Sequence, residues 1–330
     1  MDGVVNMPNI KGKNVLVTGG AGFVGSHLCD LLLENAANKV VVVDNFFLGK
    51  MENISNAMTD KAFVLYRDDA RFFGVMHSII EKENIEVVFN LATIALNYSF
   101  FNPFDAYMVN VEIANVLLQL IMSGKYKTLI HVSSSEAYGT ARYSPMDETH
   151  PLNPTTPYAA GKASADLLVD SFYKVNKIDC SIIRPFNNYG PRQNTEGALA
   201  GIIPVTSKRI INGEMPIIEG DGEQTRDFIF VLDTARAIIS AYENEESRGK
   251  TINIGSGKDI SVNSLMKIIC DYYGYKGQIL HKPERVSDVK KLCGSFEQAQ
   301  KILGFKPEYS FEEGIRLTLE WFSRNGDKNK

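Results

Sequence analysis

Lys13-Asn14-Val15-Leu16-Val17-Thr18-Gly19-Gly20-Ala21-Gly22-Phe23-Val24-Gly25-Ser26 decides the fold of this chain. Lys13 to Thr18 is an apolar run of strand length, and Ser26 to Asn35 carries Leu28, Leu31 and Leu32 at helical spacing. Between them Gly19, Gly22 and Gly25, with Phe23 and Val24, make a Gly-x-x-Gly-x-x-Gly turn. Such glycines permit a tight turn and let backbone approach a pyrophosphate, which the unpaired N–H groups and positive dipole of the helix N-terminus would hold. The spacing differs from the Gly-x-Gly-x-x-Gly of most two-domain dehydrogenases. A glycine turn is also often a plain strand-to-helix connection, so its meaning rests on the downstream residues.

Val40 to Val43, Phe63 to Tyr66, Val87 to Leu91, Thr128 to Val132 and Ile178 to Ile183 repeat the strand pattern, with helical stretches between them. This alternation predicts an α/β fold, a Rossmann-type doubly wound parallel sheet. Beyond Arg184 the regularity weakens under Pro185, Gly190, Pro191, Gly197, Gly201, Pro204, Gly213, Pro216, Gly220 and Gly222. A smaller, irregular C-terminal substrate-binding lobe is expected there, with Thr251 to Gly255 returning to the main sheet. The expected division is 1–185 for a dinucleotide-binding domain, joined by a return near 227–257, and 186–226 with 258–330 for the lobe.

Asp44, followed by Asn45, closes the second strand a little under 20 residues after Gly25. An acidic side chain there binds the adenosine ribose 2'-OH and repels a 2'-phosphate, so NAD is favoured over NADP. Asp68-Asp69 and Leu91-Ala92-Thr93 end the next two strands on the edge where cofactors lie in open sheets.

Tyr158 and Lys162 stand four apart in Pro157-Tyr158-Ala159-Ala160-Gly161-Lys162 and share a helix face. A phenol of reference pKa about 10 is a poor base at neutral pH, but a nearby ammonium lowers that value. The pair could take a proton from a hydroxyl while a hydride leaves the same carbon. Arg226, in Gly222-Glu223-Gln224-Thr225-Arg226-Asp227, offers a planar guanidinium to a phosphate, and Arg192 after Gly190-Pro191 is a second candidate.

Composition narrows the classes. The 330 residues are 44% hydrophobic and 22% charged with a net charge of -4, an ordinary globular balance without a basic block for nucleic acid or membrane. Cys29, Cys180, Cys270 and Cys293 are too scattered for a metal site or a disulfide scaffold, which fits a reducing compartment. Met1 to Lys13 lacks a secretory pattern, and the apolar stretch Val109 to Met122 reads as too short and polar to span a bilayer, so the cytoplasm is the expected location. The polar end, Arg324 to Lys330, is expected to fray.

With the glycine turn, Asp44, Ser133-Ser134-Ser135-Glu136-Ala137-Tyr138-Gly139, Tyr158-x3-Lys162 and Arg184-Pro185-Phe186-Asn187 in this order, the chain resembles the extended short-chain dehydrogenase/reductases that act on nucleotide sugars. The resemblance implies that Ser134 hydrogen-bonds the sugar O4, that Tyr158 is the base, and that Lys162 binds the nicotinamide ribose. It implies that Asn110 lies beside the active site and that Asn187 and Arg226 contact the pyrophosphate of the sugar nucleotide. It also implies a homodimer through helices at about Pro103 to Ser123 and Thr156 to Asn176.

Glu136 discriminates among reactions. The resemblance puts a small or uncharged residue there in epimerases, and in 4,6-dehydratases a Glu that removes the C5 proton after C4 oxidation, water leaving from C6 and the hydride returning there. The expected activity is therefore an NAD-dependent nucleotide-sugar 4,6-dehydratase acting on a UDP-sugar such as UDP-GlcNAc. Ser135 replaces the Asp acid of many dTDP-glucose dehydratases, and a hydroxyl, Ser, Glu series is closer to GDP-mannose dehydratases and UDP-glucuronate decarboxylases. Decarboxylation and 4-epimerisation remain alternatives. Asn90 to Ser99 lacks the histidine many members carry, which makes the sugar wall unusual. A non-catalytic NAD-binding regulatory protein would have no need to keep the hydroxyl, Tyr and Lys together.

Overall fold

The structure, a computed structural model, describes residues 8–195, 199–284 and 289–325. Gly197, the start of the Met1–Lys13 stretch and the end of the Arg324–Lys330 tail lie outside them. The first half runs β1 (Asn14–Thr18), α1 (Phe23–Glu34), β2 (Lys39–Val43), β3 (Phe63–Tyr66), α2 (Phe73–Lys82), β4 (Val87–Asn90), α3 (Pro103–Met122), β5 (Thr128–Val132), α4 (Pro157–Asn176) and β6 (Asp179–Pro185). The second half runs β7 (Asn187–Tyr189), α5 (Ile202–Ile211), β8 (Ile217–Glu219), β9 (Thr225–Phe230), α6 (Val231–Glu243) and β10 (Thr251–Ile254). It continues through β11 (Asp259–Ser261), α7 (Val262–Tyr273), β12 (Leu280–Lys282), β13 (Lys291–Leu292), α8 (Glu297–Leu303) and α9 (Phe311–Asn325).

Seven strands form one parallel sheet in the order β10-β6-β5-β4-β1-β2-β3. Period-two alternation sorts its side chains between two cores. Val15, Val17, Val40, Val42, Phe89 and Ile130 face α1, α6 and α8, while Leu16, Val41, Val88 and Leu129 face α2, α3 and α4. This is the expected doubly wound fold, and β10 returns beside β6 with Thr251 opposite Ile182.

The C-terminal lobe is the smaller part, and its segments are interrupted as expected. Its glycines and prolines end segments rather than prevent them, and α5, α7 and α9 close over a third core around Tyr189, Phe228, Phe230, Leu265 and Phe322. Central β9 pairs with β7, β11 and β13, and β12 pairs with β8. The apolar segment at Val109–Met122 belongs to a longer helix than its composition suggested. The 20-residue α3 is the one described helix long and apolar enough to cross a membrane, and here it packs on α4 and the sheet.

Candidate active site

One cavity of about 920 Å³ runs along the C-terminal edge of the sheet from Gly19 to the lobe strand carrying Phe228. Crevices at this edge, where strand order reverses between β1 and β4, are where such sheets bind ligands.

At the β1 end, Gly19 has φ +71 and a Cβ on Gly25 would lie 2.2 Å from the Gly19 carbonyl oxygen, so the turn closes only with glycine. α1 starts at Gly22 without a side-chain cap, which leaves its first N–H groups facing the cavity wall formed by Gly22, Phe23, Val24 and Gly25. Asp44 is buried and accepts from Ala21 N at 2.9 Å and Phe46 N at 2.8 Å. Burial pushes its carboxyl up, and those two N–H groups oppose the shift. Asn45 donates to Asp69 at 3.1 Å, and Asp69 also holds Arg71, so Asp68 is the freer carboxylate of the pair lining the cavity. The glycine cradle, the uncapped helix and Asp44 fit a pyrophosphate and an adenosine ribose. Sequence reading missed the segment opposite, where Phe47 lies edge-on to Tyr98 at 5.1 Å and Lys50 donates its backbone N–H to Ala21 O at 3.0 Å. An aromatic in a loop after a strand carries no periodic signal that would have singled it out.

At the centre, Thr156-Pro157 starts α4, with the Thr156 hydroxyl capping Ala159 N at 3.2 Å and Pro157 pre-set for the first turn. Gly161 lets α3 come close, since a Cβ there would meet Tyr107 O at 2.6 Å. Tyr158 is thereby aimed into the cavity, whose wall it shares with Thr93, Ser134 and Glu136. The Ser134 hydroxyl accepts from Glu136 N at 3.2 Å, which sets the short turn that brings Glu136 beside it. Lys162 is buried and donates to Val132 O at 3.0 Å.

The charge balance corrects the simple expectation of an acidified tyrosine. Burial raises Tyr158 to about 12, with Glu136 adding and the Ser134 and Thr93 hydroxyls opposing. Burial lowers Lys162 to about 8, opposed by Asp166. Desolvation is the largest effect on both groups.

Leu91, Ala92 and Thr93 line the cavity, but Asn110 stands behind them, taking the Thr93 hydroxyl at 2.8 Å and donating to Ala106 O at 3.0 Å. It stands one side chain back from the cavity wall, against Thr93. Ile94, Ala95 and Leu96 make the sugar-side wall apolar, and Asn97 crosses to Ala200 O at 3.3 Å.

In the lobe, Asn187 and Arg226 reach the same cavity, and Asn187 Nδ2 is buried without a hydrogen-bond partner. Arg226 is not paired with its neighbour, because Asp227 points to the other face of β9 and accepts from Ser256, Gly257 and Gly294. Arg192 lines the wall with positive φ, yet its guanidinium is 2.7 Å from Asp30 on α1. That pairing makes Arg192 a brace between α1 and the lobe. Gln224 and Lys282, which also line the lobe end, carry no motif that sequence reading could use.

A trough whose glycine turn and uncapped helix fit a pyrophosphate at one end, with a tyrosine among hydroxyl residues at its centre, fits an NAD-dependent enzyme of the extended short-chain dehydrogenase/reductase class. The chain belongs to the GDP-mannose 4,6 dehydratase family, whose family model matches residues 16–318. Relatives carry several activities. A putative UDP-glucose 4-epimerase of Methanocaldococcus jannaschii is 34% identical over 94% of this chain and 99% of its own. The structure of a UDP-N-acetylglucosamine 4-epimerase from Methanobrevibacter ruminantium, in complex with UDP-N-acetylmuramic acid, superposes with a TM-score of 0.88 at 35% identity, covering 96% of this chain and 99% of that one. DesIV, a dTDP-glucose 4,6-dehydratase from Streptomyces venezuelae solved with NAD bound, gives 0.90 at 27% identity over 94% and 97%.

Proposed function

We propose that this protein is an NAD-dependent nucleotide-sugar 4,6-dehydratase acting on a UDP-sugar such as UDP-GlcNAc. The observation that carries the reading is Glu136, a carboxylate in the wall that also holds Ser134 and Tyr158. NAD, when bound, supplies the hydride acceptor for C4. Ser134 orients O4, Tyr158 takes its proton, and Lys162 holds a positive charge beneath them. Glu136 then removes the C5 proton made acidic by the C4 ketone. Ser135 is buried and outside the cavity wall, so Glu136 also returns that proton to the departing C6 hydroxyl. One water is lost across C5–C6, and the hydride returning to C6 with a solvent proton added at C5, balanced by the proton that Tyr158 took from O4 and releases, completes the 4-keto-6-deoxy product.

Asn187 and Arg226 would hold the diphosphate and Arg192 would brace that end. The UDP assignment is supported by the names of the more identical relatives. Those names also favour a second reading, 4-epimerisation, which needs no carboxylate at position 136. Incubation with UDP-GlcNAc, UDP-glucose, dTDP-glucose and GDP-mannose separates them: a product lighter by one water supports dehydration, and a C4 epimer of unchanged mass replaces it. Carbon dioxide and a pentose nucleotide from UDP-glucuronate would establish the decarboxylase.

The proposal extends to a cytoplasmic homodimer. Four free cysteines suit a reducing compartment, and Phe104, Leu167 and Val175 leave α3 and α4 with an exposed apolar surface.

A further inference from the structure

A line of buried polar side chains runs under the floor of the cavity from the glycine turn to α4. Thr18 Oγ1 accepts from Leu91 N and Ala92 N, both at 3.2 Å, so its own proton goes to Asn90 Oδ1 at 2.7 Å. The Asn90 amide nitrogen therefore donates to His131 Nδ1 at 2.9 Å. Burial lowers His131 to about 4, so the ring is neutral and its one proton sits on Nε2. Nε2 faces Asp166 Oδ1 at 3.6 Å. Asp166 Oδ2 accepts from Ser133 Oγ at 2.7 Å and Arg184 Nη2 at 2.6 Å.

This carboxylate is placed oddly for a mere partner of Arg184. A structural pair buried this deeply gains most from two parallel hydrogen bonds. Instead Arg184 Nε, Asp166 Oδ1 and His131 Nε2 are all buried without hydrogen-bond partners. Asp166 sits one helical turn beyond Lys162 and two beyond Tyr158, so the three share a face of α4. The other titratable or charged groups of this wall are Glu136 before α4, His131 on β5 and Arg184 on β6, with Tyr138 stacked on the Arg184 guanidinium at 4.3 Å.

We propose that Asp166 is a positioning residue whose buried carboxylate, held by the Ser133 hydroxyl and the Arg184 guanidinium beside a neutral His131, keeps the Lys162 ammonium charged within a dry wall. The inference rests on the Tyr158 and Lys162 reading above and deepens it. Asp166 acts on both groups in one direction, favouring the protonated lysine and the protonated phenol. Its charge therefore sets where on the pH scale the pair works.

The test is the pH profile of kcat/KM for the NAD-loaded enzyme. Asp166→Asn keeps the shape and removes the charge, and both limbs are expected to move about one pH unit toward acid. On the lysine limb activity at pH 8 then falls about fivefold and recovers in part at lower pH. Asp166→Glu keeps the charge and holds the curve in place. Arg184→Gln leaves the carboxylate less neutralised and moves the curve toward alkali, which keeps the idea testable if Asp166→Asn does not fold. A folded Asp166→Asn enzyme with an unmoved curve overturns the proposal, as does an Asp166→Glu curve that shifts like that of Asp166→Asn, or an Arg184→Gln curve that stays or turns acid. Tyr158→Phe separates the two readings: full turnover in that variant removes the base itself, whatever Asp166 does.

Discussion

Burial holds the Tyr158 phenol at about 12 and the Lys162 ammonium at about 8, so at neutral pH both rest protonated before ligands arrive. As pH rises through 8 the lysine loses its charge, and kcat/KM is expected to fall on that limb, read from initial rates across buffers of constant ionic strength. Under the proposed mechanism Tyr158→Phe removes the proton acceptor for O4 and should cost about a thousandfold in kcat, with NAD still bound in equilibrium dialysis. Glu136→Gln should still oxidise C4 but lose elimination. The readout is deuterium entering C5 from heavy water, and a variant that eliminates at the normal rate would return Glu136 to an ordinary cavity wall.

Among the elements, the strand–turn–helix at Asn14–Glu34 has least tolerance. Gly25→Ala drives a methyl into the Gly19 carbonyl at 2.2 Å and should abolish NAD binding by calorimetry. Gly74, inside α2 with open space around its Cβ, should instead gain about 0.5–1 kcal/mol as Ala, seen as a higher Tm. Much of this level was legible in the chain itself, because strand length, alternation and the Thr156-Pro157 start are local properties. The lobe was less so. α5, α7 and α9 share a core whose members lie far apart in sequence, from Tyr189 to Phe322, and only closure brings them together. The site divided the same way. That Gly19, Asp44, Tyr158 and Lys162 line one cavity was legible from spacing and order, and that Ser134 joins them from the resemblance, whereas the engagement of Arg192 with Asp30 and the place of Asn110 behind Thr93 depend on side-chain directions.

At the scale of the whole molecule, His27 and His131 are both buried and lowered to about 4 by desolvation. Their unfolded value is about 6.5, so the unfolded chain binds more protons in between and stability falls as pH drops from 6.5 toward 4. Each ring contributes about 3 kcal/mol at most, and urea midpoints at pH 7 and pH 5 should show the loss. Asp44, Asp227 and Asp233, raised by burial, act the other way at the acid end, so the decline should be steepest above pH 5. Phe104→Glu should split a dimer into single chains on sedimentation, without changing the fold.

The backbone passes repeatedly between the large sheet and the lobe: β6 into β7, β9 into α6, β10 into β11, β13 into α8, and α8 on to α9. Five stitches join the halves like a hem rather than a hinge pin. A protease that nicks one crossing should leave a particle that still migrates as one piece and melts in one step.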